Sequence, residues 1–530
     1  MRLLLIFFCS ISIVFAQKSR PNILWITCED MSAHLPSYGD ATIQTPNIDR
    51  LAREGVRYRR MFSTNGVCAP SRSTIITGMY ANSIGSNHMR TVEAARTGNG
   101  IINYETVTPP EVKCYSEYLR AAGYFCTNNE KTDYQFKPPF TAWDENSRTA
   151  HWRNRTDKNQ PFFSIFNITV THESQIWVRA NQPLRVDPAK VKVPPYYPDN
   201  AVVRKDIARN YDNIMVMDST VGVILRQLEE DGLLENTIIF FYSDHGSGMA
   251  WYKRELYDRG THVPFIIRFP KGFAQKAGPV GGWNEELHSF VDLAPTLLSL
   301  AGIPIPKHLQ GQAFLGNQAV KTSRKYVYMA RDRMDEHYDC VRSVRDKRFR
   351  YVRNYQPDRP YYQDLNYRRQ MPMMQEILRL KEAGQLPEIT KRWFGPKPAE
   401  ELYDTQKDPY ELNNMAQNPA YKAKLEELRQ AEQAWVRSIH DKGFMQERDL
   451  IELFWPNHKQ PVTANPQFEK EGQKLKINCS TQGASIAYRF NEGRWRLYKN
   501  TPIDIPADAK ISAKAIRIGF KESEEVIYRP

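Results

Sequence analysis

Cysteine is scarce here, at seven residues in 530. One of these, Cys9, sits in the apolar leader described below, and the other six (Cys28, Cys68, Cys114, Cys126, Cys340 and Cys479) are too few for a disulfide lattice. The fold must therefore be held by a hydrophobic core. A single bridge, such as Cys114 with Cys126, is left open by the sequence. Low-complexity tracts and internal repeats are missing, which excludes solenoids and disordered scaffolds. No helix-turn-helix, zinc-finger or RNA-binding signature accompanies the net charge of +13. The excess of Lys and Arg is scattered, so an acidic small substrate or glycan fits better than nucleic acid.

Long apolar runs are also lacking. The first sixteen residues have a basic start at Arg2, an apolar stretch from Leu3 to Val14, and a small-residue exit at Ala16. About 20 apolar residues are needed to cross a bilayer, and polar Gln17-Lys18-Ser19-Arg20 arrives before that. Residues 1–16 are thus expected to be a cleavable signal peptide, with no membrane span and a secreted or periplasmic product. Bulky Phe8 before Cys9 argues against lipidation.

Hydrophobic residues make up 41% and charged residues 25%, as in globular proteins, and the length exceeds what one core supports. Buried strands are predicted at Asn22–Cys28, Phe162–Ile168, Thr237–Tyr242 and Val263–Phe269. Helices are predicted near 45–54, 71–79, 204–231 and 292–301. This alternation predicts an α/β sandwich with a mixed central sheet, over residues 17–325. Shorter, polar-interrupted strands and a charged helix near 420–440 predict an α+β subdomain over 326–450. A Pro-rich linker from Trp455 to Pro466 and turn-separated strands then predict a terminal β-sandwich module over 451–530.

Two of the strands end in polar side chains: Glu29-Asp30 after the first and Asp244-His245-Gly246 after the third. Ligands of open α/β sheets bind at such tips, and widely separated carboxylates there suit a hard cation. Between them lies Cys68-Ala69-Pro70-Ser71-Arg72. A plain structural alternative exists, a buried cysteine at a helix start with Pro70 in the first turn.

The pentapeptide, in its setting of Asn65-Gly66-Val67 and Ser73-Thr74-Ile75-Ile76-Thr77-Gly78, resembles the signature of type I sulfatases. The resemblance implies an alkaline-phosphatase-like fold and oxidation of Cys68 to formylglycine (3-oxoalanine) by a formylglycine-generating or equivalent maturation enzyme. The aldehyde hydrates to a diol. One hydroxyl beside a divalent cation ionises near neutral pH and attacks sulfur, and deprotonation of the other then releases sulfate. The resemblance also implies one Ca2+ per site, held by Glu29, Asp30, Cys68, Asp244 and His245. Arg72, Lys131 and Lys253 would supply fixed positive charge, and His172 would protonate the leaving oxygen. Two departures stand out. Glu29 replaces the usual aspartate, and Lys131-Thr132-Asp133 stands where relatives often read Lys-x-His.

The likeness runs from Pro21 to about His440 and is strongest to the heparan N-sulfatase (sulfamidase)-like branch. It includes Arg204-Lys205-Asp206-Ile207-Ala208, Met217-Asp218, Arg342-Ser343-Val344-Arg345 and Glu401-Leu402-Tyr403-Asp404. Bacterial relatives in this branch also resemble sulfatases of algal polysaccharides such as ulvan. A sulfated glycan substrate is implied, with His88, Arg90, Asp335 and His337 as candidate sugar contacts against a structural role for each. Two rivals stay open: a phosphoryl-transfer enzyme of the same superfamily, using zinc and a serine or threonine, and a sulfated-glycan-binding shell without turnover.

Overall fold

The computed structural model describes residues 20–98, 100–271, 273, 277–506 and 509–530. The expected signal segment, 1–16, lies outside them. A nine-stranded mixed sheet forms the centre, built from β1 (Asn22–Cys28), β2 (Val56–Phe62), β3 (Phe125–Asn129), β4 (Glu145–Asn146), β5 (Phe162–Ile168), β6 (Thr237–Ser243), β7 (His262–Val263), β8 (Phe265–Arg268) and β9 (Trp283–Ser289). Its order is β4-β3-β5-β1-β6-β8-β2-β7, with β9 beside β2. The first five strands of that order run parallel, so all their C-terminal ends reach one edge.

Every residue of β1 is buried, because both faces of the sheet are covered. Leu24, Ile26 and Cys28 enter one core, packed against the helix Ala201–Glu230. Ile23 and Trp25 enter the other, with Tyr115, Phe163 and Leu293. The long helix starts at Asn200, whose side chain accepts hydrogen bonds from the N–H groups of Val202 and Val203. The strand expected over 263–269 is divided in two. Pro264 has no N–H to give to a ladder, and pairing is interrupted there.

The second region has a four-stranded antiparallel sheet: β10 (Val327–Arg331), β11 (Val341–Arg345), β12 (Phe349–Asn354) and β13 (Glu400–Asp404). The helix Lys422–Ser438 covers it through Leu425, Leu428 and Trp435. Between β12 and β13 an unexpected helix, Pro372–Glu382, returns to the large core, where Met373, Met374 and Ile377 join the Ala201–Glu230 face.

Two small antiparallel sheets, of three and four strands, make the terminal β-sandwich. The preceding helix, Glu447–Phe454, spans the expected 450/451 boundary. The Pro-rich passage does not set the module apart. Ile518 joins the core on the Trp25 face of the central sheet, Lys113 Nζ donates to Gly483 O at 2.6 Å, and Arg517 donates to Thr108 O at 3.0 Å. The six cysteines of the described residues are all free, so the open Cys114–Cys126 bridge is not formed.

Candidate active site at the tips of the parallel strands

The parallel register decides which side chains meet. Cys28 pairs with Ile168 on one side and Ser243 on the other, so the residues leaving β1, β5 and β6 emerge together. Asp30 leaves β1 with φ at 52°, a left-handed turn that aspartate tolerates better than most residues. Asp30 N–H donates to Asp244 Oδ1 at 3.1 Å, tying two tips together.

Cys68 is the first residue of the helix Cys68–Thr77, all ten residues of which are buried. This helix begins three residues before the predicted start, since Pro70 in the first turn forfeits an N–H that would be unpaired anyway. Ser71 Oγ donates to Asp244 O at 2.6 Å and anchors the turn. Cys68 Sγ then lies 3.2 Å from His245 Nε2 and 3.8 Å from Asp30 Oδ1, and His245 Nε2 is 3.1 Å from Asp30 Oδ1. Asp30, Cys68, Asp244 and His245 present four donor atoms within 4.8 Å of one another. His245 Nδ1 donates to Gly246 O at 2.9 Å, which leaves the Nε2 lone pair aimed at the cluster.

Cations surround these donors. Lys253 Nζ is 2.7 Å from Asp30 Oδ2 and 3.0 Å from Glu173 Oε1, and Arg254 clasps Glu173 at 2.9 and 3.0 Å. Arg72 donates to Asp244 Oδ2 at 2.9 Å and to Asn167 Oδ1 at 2.8 Å. Burial opposes ionisation of the Cys68 thiol, but Lys253 and Lys131 outweigh it and bring the thiol down to about 7. Burial likewise opposes the Asp30 carboxylate, yet Lys253, His172 and His245 hold it well below the usual range.

His172 Nε2 stands 3.3 Å from Lys253 Nζ. Its Nδ1 accepts from Ser174 N–H at 3.3 Å and is 2.8 Å from Ser174 Oγ, which turns Nε2 toward the cluster. Burial and Lys253 push the ring's pKa down, while Asp30 and Cys68 more than offset them and raise it.

Glu29 differs from expectation. Its Oε1 is 2.5 Å from Lys131 Nζ and 3.3 Å from Arg72, and it is not among the four converging donors. Asp133 does not replace the expected histidine beside Cys68. It sits between Arg90, 2.9 Å away, and Lys131, 3.6 Å away, which hold its carboxyl well below the usual range against the effect of burial.

The centre opens into a cavity of about 350 Å³ lined by His172, Lys253, Arg254, Arg90, Asp335 and Tyr367, among others. Two of the candidate sugar contacts, Arg90 and Asp335, line this cavity. His337 lies next door, its Nε2 2.9 Å from Asp364 O. His88 does not reach the cavity. It is wholly buried among Glu447, Arg333, Asp332 and Arg342, and neither ring nitrogen has a partner. Sequence reasoning missed Asn167, Glu173, Arg254 and Tyr367. Glu173 and Arg254 each directly follow a predicted residue, which is the one signal that pointed to them.

Buried donors ringed by cations at the strand tips of a mixed α/β sheet define a site for an anionic ligand. Residues 21–303 match the family model described as Sulfatase, and residues 246–388 match the one described as N-sulphoglucosamine sulphohydrolase, C-terminal. The chain belongs to the sulfatase family. It is 45% identical to a Formosa agariphila protein named Ulvan-active sulfatase, over 96% of this chain and 91% of that one. Human N-sulphoglucosamine sulphohydrolase is 26% identical over 80% of this chain and 91% of its own length. Among solved structures, one in complex with its substrate D-glucosamine-2-N,6-O-disulfate superposes with a TM-score of 0.57 at 20% identity, covering 81% of this chain and all of that one. The phosphonate monoester hydrolase of Silicibacter pomeroyi superposes with a TM-score of 0.55 at 19% identity, covering 80% and 97%, so the fold alone does not choose the ester.

Proposed function

We propose that this sulfatase removes sulfate groups from a sulfated polysaccharide or its oligosaccharides, using formylglycine made from Cys68 and a bound calcium ion. The observation that carries the reading is Cys68 itself, buried among Asp30, Asp244 and His245 and flanked by Lys253 and Lys131. In this arrangement Sγ stands in for an oxygen of the hydrated aldehyde. The donor set fits a divalent cation: two buried carboxylates offer hard oxygens, and His245 turns Nε2 to the same point. When present, the cation lowers the pKa of a bound hydroxyl, and the formylglycine diol supplies the attacking hydroxyl and a second one for sulfate release.

The protein's own residues do the rest. Lys253, fixed between Asp30 and Glu173, places an ammonium where charge builds on sulfate oxygens. Lys131, just past the C-terminal end of β3, does the same. Arg72 locks Asp244 and Asn167 in place and balances the buried negative charge. His172, with its ring pKa raised and Nε2 turned toward the cluster, is placed to protonate the departing sugar oxygen.

The 45% identical relative favours ulvan fragments as substrate. The match to the sulphohydrolase C-terminal model favours heparan-type N-sulfoglucosamine as the second choice. The apolar leader at 1–16 supports a secreted or periplasmic enzyme, and among the described residues no helix is long and apolar enough to cross a membrane. Cys68 and Ser71 are fully buried and Arg72 nearly so, so a maturation enzyme must read the segment before it folds. Peptide mass spectrometry of protein from the native host is expected to show the aldehyde at position 68, and ulvan fragments to release sulfate. Unmodified thiol together with faster turnover of a phosphonate or phosphate ester would overturn the reading.

A further inference from the structure

The catalytic cavity has a neighbour that shares its walls. A second cavity, of about 330 Å³, is lined by Tyr338, Arg359, Tyr362, Lys381 and Phe394, together with His337. Asp335 and Glu336 line the first cavity, and His337 and Tyr338, next in sequence, line the second. The opposite wall behaves the same way, with Tyr362, Gln363 and Asp364 in the second and Asn366 and Tyr367 in the first. The ridge between them is narrow. Glu336 accepts from Asn366 N–H at 3.0 Å, His337 Nε2 lies 2.9 Å from Asp364 O, and Gln363 Nε2 donates to His337 O at 3.2 Å.

The chemistry of the second cavity is cationic and aromatic. Lys381 Nζ lies 5.3 Å from the centre of the Phe394 ring, and Arg359 lies 5.7 Å from that of Tyr338 while donating to Tyr338 O at 2.9 Å. Its two acids are already neutralised: Asp339 by Arg331 and Lys397, at 2.7 and 2.6 Å, and Asp364 by Arg369, at 2.6 Å. Neither Arg359 nor Lys381 pairs with a carboxylate among the described residues. Two unpaired cations above aromatic faces suit a ligand that is anionic at its edge and apolar on its ring face. On the catalytic side Tyr367, 38% exposed, stands beside His172 with ring centres 6.2 Å apart and leads from the reaction centre toward the ridge.

We infer that the second cavity is a subsite for the sugar adjoining the one being desulfated, and that it selects an adjoining sugar carrying an anionic group, a carboxylate or a second sulfate. The inference rests on the sulfated-glycan reading above and adds that the preferred substrate is an acidic oligosaccharide or chain rather than a single sulfated sugar.

The test uses full-length protein carrying Cys68→Ala, which binds without turnover, titrated calorimetrically. The probes are a sulfated monosaccharide and sulfated disaccharides whose second sugar bears a carboxylate, a sulfate or neither. An anionic neighbour is expected to tighten binding about tenfold over the neutral one. The gain should vanish when Arg359→Ala and Lys381→Ala are added, with monosaccharide affinity unchanged, and the tighter of the two anionic arms identifies the group recognised. Equal binding of neutral and anionic disaccharides, or a gain that survives the added substitutions, overturns the subsite. Failure of the sulfatase reading shows separately, as no sulfate released from any probe by the matured Cys68 enzyme.

Discussion

Lys253 is wholly enclosed between two carboxylates, and its charge is kept by the surroundings: burial works against it, but Asp30, Cys68 and Glu173 raise its pKa well above normal. Removing it takes away the nearest cation to Asp30 and an electrostatic donor to the substrate. Lys253→Ala is expected to lower kcat about a hundredfold, and a change under about threefold would take Lys253 out of the chemistry. Cys68→Ala is expected to abolish turnover with little change in melting temperature, measured by sulfate release and calorimetry, since the side chain lost is small. Residual activity above about a thousandth of wild type would contradict that. At this scale the sequence was legible where a residue type carries reactivity. Cys68, Asp30, Asp244 and His245 stood out by motif and strand end, and the structure brings their side chains together, whereas His172 and Lys253 were singled out only through the family resemblance. Glu173, Arg254 and Asn167 act by holding others through contacts formed only on folding, and an isolated Glu or Arg gives no sign of that. His88 illustrates the reverse error, since a histidine near a motif looks functional until its burial behind Glu447 and Arg333 is known.

Elements meet closely at two places where a single group governs the fit. Gly248 passes so near β1 and β5 that a Cβ there would stand 2.8 Å from Glu173 Cα and 2.9 Å from Asp30 Oδ2. Gly248→Ala is expected to displace both anchors of Lys253, costing about 1–3 kcal/mol of stability and at least about tenfold in rate; thermal unfolding and kinetics would check it. The second place is Asp206 on the long helix, which accepts a hydrogen bond from Met373 N–H at 2.7 Å where the helix Pro372–Glu382 docks. Burial pushes its carboxyl up to about 7 from 3.8, only partly opposed by that hydrogen bond and by Lys205 and Arg209. The unfolded chain therefore loses this proton near pH 4 and the folded one near pH 7. Between those values rising pH favours unfolding, and stability present below about pH 4 is progressively lost. Asp206→Asn is expected to raise stability at pH 8 by about 2–4 kcal/mol and to change it little at pH 4, as read by denaturant titration at both values. The long helix and the buried strands were legible from periodicity. The helix Pro372–Glu382 was not, because its apolar side chains are explained only by the partner helix far away in sequence.

At the scale of the whole molecule the terminal β-sandwich is a buttress. Gly483 and Gly519 lie against the backbone of Pro110 and Thr106, so close that a Cβ on either would meet a carbonyl oxygen at 2.3 Å. With Ile518 in the core on the Trp25 face of the sheet, truncation after residue 458 is expected to lower the melting temperature of the catalytic body by about 5 °C or more. A melting temperature unchanged by the truncation would show an independently hung module. The sequence by itself determined the reactive residue types, the strands β1, β5 and β6 with the long helix before β6, and the polar strand ends after β1 and β6, because side-chain chemistry and hydrophobic period are local properties. Only the tertiary structure decided that the tips of β1, β5 and β6 meet around Cys68, that Glu29 turns to Lys131 instead of the donor cluster, and that a second cavity adjoins the first. Those outcomes depend on register and on contacts between residues tens to hundreds of positions apart, which no local pattern encodes.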